Sequence, residues 1–329
     1  MSIKNLIRMA VVLSVLIGAS LIVPKIVYRK SGTAVFSAIA QDQWTKIIIN
    51  KAQDEITLSR TGSIWQVSQS SYVYHADVSS TASLLDAAGE LVLGDVISSN
   101  PGRHEVFQVT PMLGTRIRLF STDPVNPYAD FYLGKSTPDY TSYYLRYEGE
   151  NKVYHSSGLS SYVVAKKFDR WRNRSLGIKD RELIDNIEFS KDQLLYAVML
   201  DGDKWKYDGK EVDQNDMNSL LGQVASINAV DLVKPDEEDG IAKSFADAAA
   251  KIMISEAGKK HKITLYPITL YPITKKKDGK EQVEKYYAVK EDEPGIFILN
   301  NQIFENITKS FETIKQSSEK PPQEEAEGK

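Results

Sequence analysis

Apolar and polar positions fall into short blocks from residue 46 onward. Lys46-Ile47-Ile48-Ile49 is a continuous β-forming run, which predicts a strand over 44–50 with both faces buried. Residues 55–60 alternate around Ile56 and Leu58, and Ile64-Trp65-Gln66-Val67 follows a turn in which Gly62 can take positive φ. These blocks predict an antiparallel meander. Over 77–93 the period changes. Leu84, Leu85, Ala88, Leu91 and Val92 recur at spacings of three and four, so a helix is predicted to lie against the sheet face carrying Trp65. Asp77 or Ser79 can cap its first turn, and Gly94 is its expected stop. Strands are predicted at 95–98, 115–120, 129–133, 142–147 and 152–155, with a turn at 148–151 and a short helix over 159–168.

The layout then recurs. Trp65 returns as Trp205, Leu84-Leu85 as Leu220-Leu221, Asp95-Val96 as Asp231-Leu232, Tyr143-Tyr144 as Tyr286-Tyr287, Val153-Tyr154 as Ile296-Phe297, and Phe168 as Phe311. The offsets are all near 140 residues, a domain-sized period that predicts duplication rather than a solenoid. The expected fold is α+β: an N-terminal transmembrane helix followed by two similar, mainly antiparallel sheet-plus-helix modules. Boundaries are expected at 1–30 (cytoplasmic tip and anchor), 31–43 (linker), 44–178 (first module), 179–316 (second module) and 317–329 (disordered tail). Residues 263–274 repeat five residues directly. Pro267 and Pro272 cannot donate to a ladder, which predicts an edge strand or an exposed hairpin there.

Residues 9–28 are mostly apolar, close to the roughly 20 residues a helix needs to cross a bilayer. Lys25 can snorkel and Tyr28 suits the interface. The run predicts an uncleaved anchor. The alternative is a cleaved signal peptide, but the small residues at Ala38-Ile39-Ala40 lie far beyond the apolar stretch. Lys4 and Arg8 precede the run, while Lys25, Arg29 and Lys30 follow it. The short tail and long folded body nevertheless predict a cytoplasmic N-terminus and an extracytoplasmic body on the inner membrane.

Composition narrows the function classes. The 329-residue chain has no cysteine, which excludes disulfides, thiolate nucleophiles, Cys-ligated metals and a lipidated Cys anchor. A net charge of −3 does not suggest a nucleic-acid partner. His75, His104, His155 and His261 form no metal-binding spacing. No nucleophile elbow, Walker A loop or dinucleotide fingerprint appears. No catalytic, metal or cofactor-binding residue is assigned. Asp201-Gly202-Asp203 reads as a hairpin turn, and Asp236-Glu237-Glu238-Asp239 as a solvated loop.

The strongest local oddity is basic: Lys166, Lys167, Arg170, Arg172, Arg174, Lys179 and Arg181, against only Asp169 and Asp180. The plain reading is an inter-module junction with Trp171 packed and the charges solvated. The sharper one makes Lys166, Lys167, Arg170, Arg172 and Arg174 a contact for a partner protein or anionic headgroups.

The chain resembles the bacterial domain-of-unknown-function 4340 family. The resemblance rests on the opening strands with Trp65, the helix with Leu84-Leu85, and residues 95–101. It continues through Phe107-Gln108-Val109-Thr110-Pro111, Tyr132-Leu133-Gly134-Lys135, Tyr143-Tyr144-Leu145-Arg146, Val153-Tyr154, and Phe168-Asp169-Arg170-Trp171-Arg172. Gln108 stands where the family pattern has glycine. The resemblance implies a membrane-anchored protein often found beside ABC-type export systems of the gliding-motility auxiliary type. It carries no catalytic residues and no cofactor. The function expected is therefore a non-enzymatic accessory or scaffold protein, a partner of a permease and ATPase or of other envelope proteins. An extracytoplasmic peptide- or glycan-binding module is the alternative, and a hydrolase comes third.

Overall fold

The computed structural model describes residues 34–36, 39–178, 180–191, 194–245, 248–256, 259–267 and 285–319. The apolar run at 9–28, Lys179, Pro272 and the last ten residues lie outside these. Among the described residues no helix is long and apolar enough to cross a membrane.

Among the described residues eighteen strands form two sheets. The first holds β1 (Lys46–Lys51), β2 (Asp54–Thr61), β3 (Ile64–Gln69), β4 (Tyr72–His75), β5 (Val92–Ser98), β6 (Thr115–Phe120), β7 (Ala129–Ser136), β8 (Tyr143–Tyr147) and β9 (Val153–Ser157). The second holds β10 (Ile184–Lys191), β11 (Leu194–Asp201), β12 (Lys204–Tyr207), β13 (Lys210–Glu211), β14 (Asp231–Leu232), β15 (Ala250–Glu256), β16 (Lys259–Pro267), β17 (Lys285–Lys290) and β18 (Glu293–Asn300). The strand order is β4-β3-β2-β1-β6-β7-β8-β9-β5 in the first and β13-β12-β11-β10-β15-β16-β17-β18-β14 in the second. Each strand of one order corresponds, place for place, to a strand of the other.

The register repeats as well. Arg60 lies opposite Trp65 and Leu200 opposite Trp205. Ile47 pairs with Leu119 and Ile187 with Ile254. Leu145 pairs with Tyr154 and Ala288 with Phe297. This is the pattern of a duplicated α+β module. By contact the described residues group into two compact units. One combines the stretch ending at Glu55 with Ala82–Ala165; the other combines Ile56–Thr81 with the stretch from Lys166.

Helix α1 (Val78–Gly89) starts where the sequence places a cap. The Asp77 carboxylate accepts from the Ser80 backbone N–H at 2.7 Å and from the Ser79 hydroxyl at 2.7 Å. Burial raises the Asp77 carboxyl, but those bonds and the charge of Lys166 outweigh it and hold it below the usual carboxylate range. The contribution is therefore present at neutral pH and lost as pH falls through the lowered value. Asp77→Ala should cost about 1 kcal/mol at pH 7. In urea titrations the gap to the wild type should narrow below about pH 4; a gap independent of pH would contradict the capping account. The helix ends before Leu91 and Val92, and Val92 opens β5, so Gly94 lies within a strand and is not a helix stop.

Helix α2 (His104–Phe107) ends on Gln108, which has φ 58° and ψ 37°, the left-handed region. A Cβ there is strained, whereas glycine takes that conformation freely. Gln108 is exposed and accepts the strain. Gln108→Gly should therefore raise stability by about 0.5–1 kcal/mol, read as a higher melting temperature; a lower one would contradict it. A further short helix, α3 (Ser161–Val164), precedes the basic segment.

In the second unit two longer helices, α4 (Gln214–Ala225) and α6 (Asn301–Glu319), cover one sheet face; between them in sequence lies the short α5 (Glu238–Lys243). Met217, Leu220, Leu221 and Val224 from α4 and Phe304, Ile307, Phe311 and Ile314 from α6 join one buried cluster with Phe189, Val198, Trp205, Ile252 and Ile254. Phe189 stacks on Phe311 with ring centroids 5.6 Å apart. Helix α6 continues through Glu319, into the stretch expected to be tail. Pro267 ends β16, an inner strand paired with β15 and β17, so no edge strand lies there; it leads instead into the connection of an antiparallel pair.

Candidate functional site

The basic segment divides by burial. Lys167 and Arg170 are exposed, and Lys166 is half-buried with its ammonium 4.9 Å from the centre of the buried Trp171 ring. Arg174 is half-buried and donates to the Val230 carbonyl at 3.2 Å. Arg181 is exposed. Arg172 is only 2% exposed, so it cannot serve as a surface contact for lipid or partner.

Arg172 is instead the centre of a buried polar cluster within the second unit. Its guanidinium donates to the Val233 carbonyl at 2.8 Å and to the Glu238 carboxylate at 2.7 Å, and lies 3.7 Å from the centre of the Tyr74 ring. The Tyr74 hydroxyl donates to the other Glu238 oxygen at 3.0 Å, and burial pushes that phenol well above its ordinary value. Beside it, His75 Nδ1 lies 3.0 Å from the Glu293 carboxylate. Gly295 has φ 111°, and a Cβ there would stand 2.8 Å from the Arg172 guanidinium and 3.1 Å from Tyr74. Glu238 therefore belongs to this cluster and to α5, not to a solvated loop. The backbone seals the arrangement: the Asp77 N–H donates to the Trp171 carbonyl at 2.7 Å, and the Asn173 N–H to the His75 carbonyl at 2.8 Å. The Nη1 and Nη2 groups of Arg172 are bonded to protein partners while its Nε is buried without one among the described residues, and the cluster is a clasp between segments far apart in sequence.

The repeat markers are placed equivalently, each second in its strand, but not buried equally. Trp205 is 7% exposed and packed in the core, whereas Trp65 is only half-buried, so the expectation of two equal packing stations holds for Trp205 alone. His104 bonds the Asn151 carbonyl, His155 lies against Tyr144, and His261 sits between Glu256 and Asp292. Among the described residues no group of three or more His, Cys, Asp or Glu side chains is arranged to hold a metal. Gly202, at φ 67°, turns the β11–β12 hairpin as its sequence suggests.

The feature that sequence reading misses is the solvent-facing side of the second sheet. Side chains alternate along a strand, so the residues between the core positions of β11, β10, β15 and β16 share one face. Register sets them in rows. Lys206, Met199, Asn186, the buried Ser255 and Lys260 form one row. Ala197, Glu188, Met253 and Lys262 form the next. Leu195, Ser190 and Lys251 begin a third. Leu195 is 66% exposed and Met199 60%. Lys251, Lys260 and Lys262 make no ion pair among the described residues.

The same face of the first sheet provides a comparison within one molecule. At the positions of Leu195, Ala197 and Met199 stand Glu55, Thr57 and Ser59. In place of Lys251 and Met253 stand Arg116 and Arg118, and both are ion-paired. Arg116 grips Asp130 through two bonds of 2.8 and 2.7 Å, and Arg118 meets Glu55 at 2.9 Å. Arg146 donates to the Val109 carbonyl at 2.9 Å with its guanidinium 4.6 Å from the Tyr132 ring centre. One copy is polar and internally neutralised. The other is apolar and basic, with charges left for something else.

Two nine-stranded antiparallel sheets with helices among the described residues thus define a duplicated α+β protein. Its sequence matches the family described as Domain of unknown function (DUF4340) over residues 65–244, more than half of the chain, and the chain belongs to that family. No curated protein and no solved structure matches it.

Proposed function

We propose that the chain is a non-enzymatic, membrane-anchored accessory or scaffold protein of an ABC-type transport or cell-envelope complex. The anchor in this reading is the apolar run at 9–28, and the body stands outside the cytoplasmic membrane. The observation that carries the membrane-associated part of the reading is the open face of the second sheet. Exposed Leu195 and Met199, beside lysines that make no ion pair among the described residues, form an association surface, and the matching face of the first sheet lacks it. Such a face recognises something broad and flat, whereas small substrates are held in concave pockets.

A second reading, an extracytoplasmic binding module for a peptide or glycan, draws on a groove of about 330 Å³ between α4 and α6. Its lining includes Asp216, Gln223, Asn306 and Lys309. The groove offers hydrogen bonds but no aromatic ring for a sugar to stack on, so it ranks behind the first. The two separate cleanly. An oligosaccharide or peptide that raises the melting temperature of the full chain, with the loss of that effect in Gln223→Ala, would favour the binding module. The absence of any such ligand, with a permease and ATPase co-purifying, favours the accessory role.

A further inference from the structure

We infer that the outer face of the second sheet docks flat on an anionic lipid surface. The inference rests on the membrane-proximal reading above and adds what the face touches. Two features point to lipid rather than protein. Protein interfaces are depleted of lysine and enriched in arginine and large aromatics. Across β10, β11, β12, β15 and β16 this face presents Lys206, Lys251, Lys260 and Lys262, no arginine among the described residues, and apolar Leu195, Ala197, Met199 and Met253, and β17 adds the half-buried Tyr287. Flexible lysines beside exposed aliphatic side chains suit headgroups and the upper acyl region, where each lysine near an anionic surface contributes about as much as a weak hydrogen bond.

Charge complementarity supports the same occupant. Lys206 is engaged with Asp201, and Glu188 shares a hydrogen bond with Asn186. Asn186 is neutral, so Glu188 still offsets one of Lys251, Lys260 and Lys262, and the other two leave these rows with a net positive charge that favours a negative partner. Leu195, at the start of β11, can enter the bilayer boundary while the lysines stay at its surface. A chain already tethered to the bilayer needs only weak affinity to dock, because the tether supplies a high effective concentration.

The absence of native cysteine makes the test direct. The full chain carrying Met199→Cys is labelled with a polarity-sensitive fluorophore and reconstituted into phosphatidylcholine vesicles with or without phosphatidylglycerol. The label should shift to shorter wavelength only with the anionic lipid, and high salt should reverse the shift. Replacing Lys251, Lys260 and Lys262 by Gln should lower the ratio of docked to undocked protein about a hundredfold, corresponding to about 1 kcal/mol per lysine. Ser59→Cys, the matching position of the first sheet, should show no shift. Circular dichroism identical to the wild type confirms that each variant is folded. Equal emission in neutral and anionic vesicles, or an equal response at position 59, would overturn the assignment. So would a shift that appears only when an acidic protein is added. None of these outcomes depends on whether a permease co-purifies.

Discussion

Arg172→Met should destabilise the chain by about 3 kcal/mol or more, the largest effect expected of any charge change in it. The Arg172 side chain is almost wholly enclosed, and it compensates the Glu238 carboxylate while also serving the Val233 carbonyl. Methionine fills much of the same volume but leaves the carboxylate without a counter-charge and the carbonyl without a donor. The cost is that of an abandoned buried group rather than of a lost attraction. The double variant Arg172→Met/Glu238→Gln should therefore recover part of the loss. Lys167→Met, a few residues away on the surface, should change stability by less than about 0.5 kcal/mol. Urea unfolding followed by circular dichroism checks all three. If Arg172→Met matched Lys167→Met, Arg172 would be a surface contact after all.

Trp205→Ala should cost about 3–5 kcal/mol, because it empties a large volume from a core closed by α4 and α6. Trp65→Ala removes the same side chain at the matching station of the other copy but should cost no more than about 2 kcal/mol, since water already reaches that ring. Equal losses would mean that the two stations are equivalent in packing as well as in register. The difference follows from what surrounds each strand and not from the repeat itself.

Strand blocks were legible because β-branched and aromatic residues alternate in them: 115–120 matches β6 residue for residue. The duplication was legible too, since Trp65/Trp205 and Leu84-Leu85/Leu220-Leu221 fall at equivalent places. Strand β4 was not, because Ser70 and Ser71 before it read as loop, and its turn depends on Ser70 taking φ 54°. Helix α6 carries Phe304, Ile307, Phe311 and Ile314 at helical spacing, so its body is visible, but its end at Glu319 is hidden by serines. The basic segment looked uniform in sequence. Only the fold separates buried Arg172 from exposed Arg170, because the acceptors that draw Arg172 inward come from residues 233 and 238, far along the chain. The open sheet face was also unreadable from one copy. It emerges when register aligns Leu195, Ala197 and Met199 with Glu55, Thr57 and Ser59.

The accessory role is tested most directly by purifying the full-length chain from detergent-solubilised membranes of the cells that make it. The account predicts that the chain stays in the membrane fraction through high-salt and alkaline washes. It further predicts co-purification, in fixed ratio, of an integral-membrane permease and an ATP-hydrolysing subunit. Recovery of the chain in the soluble fraction, or from membranes as a lone chain with neither subunit, would contradict it.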